Sequence, residues 1–378
     1  MGDEITLDRV ITVANTLEIV NFQLESYEQK EKIKTNEVNA LKIKNKNDYR
    51  WNRQHNSYKE EKKTKEEIKC ESIYTSTTRR DSSVRNIVNL LFQTDDPSCK
   101  YGNSKAIAIK QFNRLENRLL KNPKLKAEYA SVIEEYKSLG HVKTVPSHEE
   151  DCDDAVYLPH HAVIREDKDT TKVRVVFNAS CPGRNGIALN DELMVGPSLQ
   201  SDLRHIIMRW RQYPICLVAD IIKMYRQVKI SELHTDFQRF VWREDPDQRL
   251  QHLRLLRVTF GTASAPYLAV RSLQQVAHDD GGKYPLAAER VLREFYMDDF
   301  MSGCFSVEEG KQIYKEITQL LQGGGFVLQK WSSNSEEILK EINEDVEDQA
   351  ENLKLKIDEI MKILGLTWNR RTDEFEYL

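Results

Sequence analysis

Phe295-Tyr296-Met297-Asp298-Asp299-Phe300 lies between two apolar stretches, Val291–Phe295 and Phe300–Cys304. Adjacent carboxylates in such a setting predict a tight hairpin over Phe295–Gly303 whose turn carries the acids. Side by side they repel, and burying them together is unfavourable unless a cation compensates. A divalent metal is the usual remedy, and hard Mg²⁺ prefers carboxylate oxygens. An ordinary solvated Asp-Asp turn accounts for these residues as well, so the motif needs a second site.

Asp220 is that second site. It ends the apolar run Ile215-Cys216-Leu217-Val218-Ala219, which predicts a strand, and a lone carboxylate there is costly without a partner. A helix cap at the strand end is the plainer reading. Taken with Asp298 and Asp299, Asp220 makes a set of three carboxylates on adjacent strands. Such a set can hold two Mg²⁺ ions about 4 Å apart.

The surrounding texture is a mixture of strands and helices. Lys172–Asn178, Ile215–Asp220, Arg226–Ile230, Phe237–Trp242 and Leu253–Val258 predict strands, whereas Pro266–His278 and Ser306–Gln322 predict helices. No Gly-rich phosphate loop separates them, which disfavours a doubly wound nucleotide fold. An α+β fold of the split-βαβ kind, built on an antiparallel sheet, fits better. Upstream, Lys105–Lys121 places Ile109, Phe112, Leu115 and Leu119 on one face. Asn122-Pro123 then opens a second helix, with Leu125, Tyr129, Val132 and Tyr136 inward and Gly140 as its stop. Asp3–Asp96 holds no Gly and no Pro; within it Ile5–Leu24 has helical spacing, and Lys30–Lys69 predicts a solvated helix or linker. The expected organisation is a charged, helical or partly disordered region over residues 1–85, a helical pair within 86–150, and the main body over 151–378.

Net charge is −4, yet the charges segregate: Glu336–Glu351 holds eight acids against one Lys, while Lys100–Lys126 holds the single acid Glu116 among many cations. A polyanion-binding cleft needs local positive potential rather than a global excess. Met1–Val10 carries Asp3, Glu4 and Asp8, which does not suit a secretory signal, and no apolar run approaches membrane-spanning length. The expected setting is intracellular: cytoplasmic, with the nucleus as the alternative, and without membrane. Cys70, Cys99, Cys152, Cys181, Cys216 and Cys304 show no metal-knuckle spacing and are expected to be free thiols.

The ordered blocks KVRVVFNAS, LND, VGPSLQSDL, VADIIKMYRQV, VTFGTASAPYLAVRSL, FYMDDFMSG, GGFVLQKWSSN and ILGLTWN cover about Asn86–Leu378. Together they resemble the reverse transcriptase of the Bel–Pao group of LTR retrotransposons, with YMDD as its palm motif. The resemblance implies right-hand polymerase fingers and palm, and RNA-directed DNA polymerase activity on a primed RNA or DNA template with deoxynucleoside triphosphates. Asp220, Asp298 and Asp299 would be catalytic and hold two Mg²⁺ ions, or Mn²⁺ in their place. Lys330 would be the lysine that protonates pyrophosphate, a role suited to a tunable amine.

Substrate contacts fall by resemblance on Lys172, Arg174, Ile221, Tyr225, Phe260, Gly261, Tyr296 and Met297. Lys172 and Arg174 share one face of their strand, and Arg suits phosphate bidentately. A solvent-facing strand edge is the plainer reading of both. Tyr225 matches the aromatic that excludes a 2′-hydroxyl, and core packing explains it too. Phe260 stands where most retroviral enzymes place Gln, and Asn178 where the family commonly has Asp. Leu364, Gly365 and Leu366 would form the primer grip, at which the sequence stops. Thumb and RNase H are therefore expected to be absent, with self-association through the uncovered thumb-facing surface. The alternative is an inactive or co-opted element that only binds nucleic acid or protein.

Overall fold

The computed structural model describes residues 63–152, 154–164, 173–349, 360–363 and 366–376. The expectations for Ile5–Leu24, Lys172, Leu364 and Gly365 lie outside these residues. All described residues belong to a compact unit that begins at Glu61.

The central sheet has four strands, in the order Phe295–Tyr296, Asp299–Cys304, Ile215–Ile221, Leu328–Ser333. Every pairing is antiparallel. In chain order, strand Ile215–Ile221 leads to helix Ala265–Asp280. The Phe295–Cys304 hairpin follows, then helix Val307–Gln322, then strand Leu328–Ser333. That is a β-α-ββ-α-β path whose first strand is central, the split-βαβ arrangement.

Side-chain alternation along the central strand explains its wholly apolar text. Leu217, Ala219 and Ile221 join the main core, together with Ile313, Ile317, Leu268 and Leu321 from the two long helices. Cys216 and Val218 face the other way, into a smaller cluster with Ile206, Trp210, Met301 and Trp368. Each Leu or Ile removed from water in this way contributes about 1.5–3 kcal/mol. The next residue on the second face is Asp220, beyond the end of that apolar cover.

The cover itself comes from two elements. Helix Leu203–Trp210 supplies Ile206 and Trp210. A three-stranded antiparallel sheet, Ile360–Ile363, Leu366–Asn369 and Glu374–Glu376, brings Trp368. The Trp210 and Trp368 rings meet edge to face at 5.1 Å. Trp368 Nε1 donates to Asp373 Oδ1 at 3.0 Å, and Arg211 pairs with the same carboxylate at 2.5 Å.

A second body of sheet lies upstream, comprising Val142–Thr144, Gln251–Leu255 and Arg239–Trp242 together with the hairpin His160–Ile164/Val173–Phe177. Helices Ser104–Leu120 and Pro123–Ser138 pack on it. Asn122 Oδ1 caps the second helix by accepting from Leu125 N, with Pro123 at its first position. His160 is buried at their junction: its Nε2 donates to Val241 O at 2.8 Å, so Nδ1 accepts from the Tyr129 hydroxyl at 2.5 Å.

Two expectations need correction. Arg226–Ile230 is not one strand: helix Met224–Gln227 precedes a two-residue strand, Lys229–Ile230. The chain turns sharply at Lys223, whose φ is 48°, and this winds the segment before it can extend. In the Pro123–Ser138 helix the fully buried residue is Ile133, in step with Tyr129 and Tyr136 at three- to four-residue spacing, while Val132 packs on the core only partly buried. Helix Lys65–Thr77, started by a Thr64–Glu67 capping box, faces solvent up to Lys69 and buries Cys70 and Tyr74.

Candidate active site at the Asp220 end of the sheet

The Phe295–Cys304 hairpin turns on Met297 and Asp298, between the paired residues Tyr296 and Asp299. Met297 takes a φ of 55° to close so short a turn. Its N–H donates to Gln200 Oε1 at 3.0 Å, and the Asp298 carbonyl accepts from Ile221 N at 2.8 Å. The turn is therefore tied to the central strand on one side and to the Gln200 loop on the other.

Asp299 is the direct cross-strand partner of Asp220. Directly opposed residues of an antiparallel pair point to the same face, so both lie on the face away from the long helices. Asp298 joins them from the turn. Burial, and next to it the Asp220 carboxylate, hold the Asp298 carboxyl above the usual carboxylate range. Lys330 and Arg174 pull the other way, which places both cations beside the turn.

Lys330 reaches Asp220 through a defect in the fourth strand. The register with the central strand shifts between Gln329 and Ser332, and Lys330 sits at a φ of 52° in that bulge. The bulge sends Trp331 into the core and returns the Lys330 ammonium to Asp220 Oδ2 at 3.0 Å. The Asp220 side chain is 27% exposed and that of Lys330 59%, so solvent screens the pair. Among the described residues, no three His, Cys, Asp or Glu side chains are already gathered as a metal cage.

Tyr225 stands under the turn. Its ring centre is 4.2 Å from that of Phe260, and burial together with the Asp298 charge pushes its hydroxyl up to about 12. Phe260 itself is 45% exposed. Gly261 follows at a φ of 102°, where a Cβ would meet the Phe177 carbonyl oxygen at 2.4 Å. Only glycine allows that approach. Arg174 is exposed on its strand, between the buried Val173 and Val175. Ile221 is fully buried, so only its main chain faces the site. Tyr296 packs against the smaller apolar cluster. Leu366 pairs with Ile363 at the start of its hairpin.

Two residues escaped the sequence analysis. Gln200 holds the acid turn, and Asn190 holds the loop after Phe260 by donating to Gly261 O at 2.8 Å and accepting from Ala263 N at 2.9 Å. Both sit inside quoted blocks, VGPSLQSDL and LND, but an amide carries no spacing signal of its own. Asn178, where Asp was expected, caps its own turn by accepting from Ser180 N at 3.1 Å. All six cysteines are free thiols. Among the described residues no helix is long and apolar enough to cross a membrane.

No family model matches this sequence, and no curated protein matches it. Among solved structures, the chain is similar to a foamy viral protease-reverse transcriptase in complex with double-stranded DNA, at 14% identity and TM-score 0.44 over 65% of this chain. It is similar to a foamy viral protease-reverse transcriptase in complex with an RNA/DNA hybrid, at 15% identity and TM-score 0.44 over 66% of this chain. It spans 34% and 26% of the length of those two chains. At that similarity the chemistry has to be argued from the site itself.

Proposed function

We propose that this chain is the fingers–palm part of an RNA-directed DNA polymerase of the Bel–Pao type, transferring deoxynucleotides to a primer 3′-hydroxyl. The observation that carries the reading is the direct pairing of Asp220 with Asp299, with Asp298 in the adjoining turn. Three carboxylates at one sheet end, on the face free of the long helices, make a hard oxygen donor set. The raised Asp298 carboxyl and the Lys330 ammonium on Asp220 both mark a place where positive charge is wanted. Asp220, Asp298 and Asp299 would therefore hold Mg²⁺, or Mn²⁺ in its place. When bound, the metal supplies an activated 3′-oxygen and neutralises triphosphate charge.

The chain's own residues do the positioning. Arg174, with Lys172 by resemblance, receives phosphate oxygens in front of the acid turn. Tyr225, braced by Phe260, fills the space beneath the sugar. Gly261 lets the backbone approach closely, and Gln200 fixes the turn. Lys330, which stands on Asp220, would be the group that gives its proton to departing pyrophosphate. The hairpin containing Leu364, Gly365 and Leu366 would hold the primer end.

A binding-only role is the second reading, and the Lys330–Asp220 contact favours it, since it occupies the seat of a metal. Primer extension with Mg²⁺ separates the two. Incorporation that disappears in both Asp220→Asn and Asp298→Asn supports the polymerase. Binding of primer–template with no incorporation at any metal concentration leaves the second reading standing.

A further inference from the structure

A cation cluster behind Phe260 plays no part in the chemistry above. Arg257 follows the Gln251–Leu255 strand, and its main chain is held by a bridge to Lys229 and by the Thr259 hydroxyl, which donates to its carbonyl at 3.0 Å. Its side chain is not so held. The Nε and Nη1 atoms of Arg257 are closed off from solvent without a hydrogen-bond partner, and so is Nδ1 of His141. His141 is only 7% exposed. Both residues line one open cleft with Arg226, Thr259 and Phe260.

Charge balance around this cleft is one-sided. Arg226 lays its guanidinium on the Tyr136 ring at 3.6 Å and donates to the Tyr136 hydroxyl. Arg85 lies beside Arg257 and donates to Gln227 and to the Gly325 carbonyl, both neutral. The facing acid is Asp81, already engaged by Lys229, Ser83 and the Arg85 main chain. Glu135 is taken by Lys223. Burial and the surrounding arginines and Lys223 push His141 down to about 3. Guanidinium donors closed off from water without a partner are costly unless an anion meets them.

We propose that this cleft is an oxyanion site that takes a phosphate group. The idle Nε and Nη1 of Arg257 would each meet an oxygen, with Arg226 and His141 around the others. A doubly charged tetrahedral anion offers enough acceptors for that set, where a carboxylate offers too few. The half-exposed Phe260 at the mouth gives an attached nucleoside a ring to rest on, so free phosphate and a phosphate ester share the same recognition.

The test is calorimetric titration of the full chain with inorganic phosphate, without divalent metal, in chloride buffer of constant ionic strength. Saturable binding is expected, weakened about tenfold or more in Arg257→Met and in Arg226→Gln. Without phosphate, Arg257→Met should melt no lower than the parent, since it removes two donors that have no partner. Asp298→Asn should bind as the parent does. Deoxyadenosine monophosphate binding more tightly than phosphate, with the gain lost in Phe260→Ala, assigns the site to nucleotides; equal binding assigns it to the free anion. Phosphate that acts no differently from chloride overturns the site, as does undiminished binding in Arg257→Met. Should Arg257→Met fail to fold, undiminished binding in Arg226→Gln overturns it equally. Binding lost in Asp298→Asn would move the anion to the acid cluster and overturn it too.

Discussion

Asp298 is held where its charge is disfavoured. The Asp298 carboxyl is held high by burial and by Asp220. A carboxyl raised in the folded state disfavours folding once pH exceeds its unfolded value and it must ionise. Asp298→Asn should therefore abolish incorporation and yet melt no lower than the parent in chelator at pH 7; a clearly lower melting temperature would show that the carboxylate is a structural partner. Tyr225 makes the complementary case. Shortening it in Tyr225→Val removes the ring beneath the sugar, and the ratio of ribo- to deoxynucleotide incorporation should rise about tenfold or more, on the scale of a lost 1.4 kcal/mol discrimination. No rise in that ratio would reduce Tyr225 to a packing residue against Phe260.

Among elements, the acid hairpin and the C-terminal sheet depend on single side chains from elsewhere in the chain. Gln200 accepts from the Met297 N–H, whose left-handed backbone costs on the order of 1 kcal/mol. Gln200→Ala should leave overall stability within about 1.5 kcal/mol of the parent while lowering kcat more than it alters KM. A change in KM alone would mean that the turn needs no such support. Trp368 fills the space over Trp210 and is fully buried. Trp368→Ala should cost about 3–5 kcal/mol and release the C-terminal hairpin, seen as faster amide exchange over residues 360–376 while the central strand keeps its protection. Uniform loss of protection would instead mean that the hairpin and the central sheet unfold together.

For the whole molecule, acid sensitivity follows from histidines that burial lowers, His234 and His252 among them, with His160 and His141 lowered furthest. Burial lowers His160 to about 4, and burial with nearby arginines lowers His141 to about 3. Both are neutral when folded and gain protons on unfolding below the ordinary imidazole value of about 6.5. Stability is thus fully present above that value and falls as pH drops toward 4, by up to about 2.7 kcal/mol per pH unit when both protonate. Urea midpoints between pH 7 and pH 4, in buffers free of phosphate, should fall accordingly. His160→Gln should flatten the fall, most of all toward pH 4. An unchanged slope in that variant would locate the acid sensitivity elsewhere.

Local patterns determined much of this protein by themselves. The apolar run ending at Asp220, the acid pair between apolar segments, and the two helix patterns over Pro266–His278 and Ser306–Gln322 were legible because period and capping are properties of neighbouring residues. They predicted an antiparallel α+β sheet with its acids at one end. Only tertiary structure decided the rest. Arg226 lies in a turn of helix because Lys223 bends the chain, Trp331 points inward because a bulge rotates it, and Lys330 meets Asp220 for the same reason. Gln200 and Asn190 became visible when loops 97 and 71 residues away, respectively, were brought to them. An amide or a guanidinium has no periodicity to betray its partner. What it binds is set by the packing of distant apolar faces, and that is why the cluster around Arg257 left no mark in the sequence.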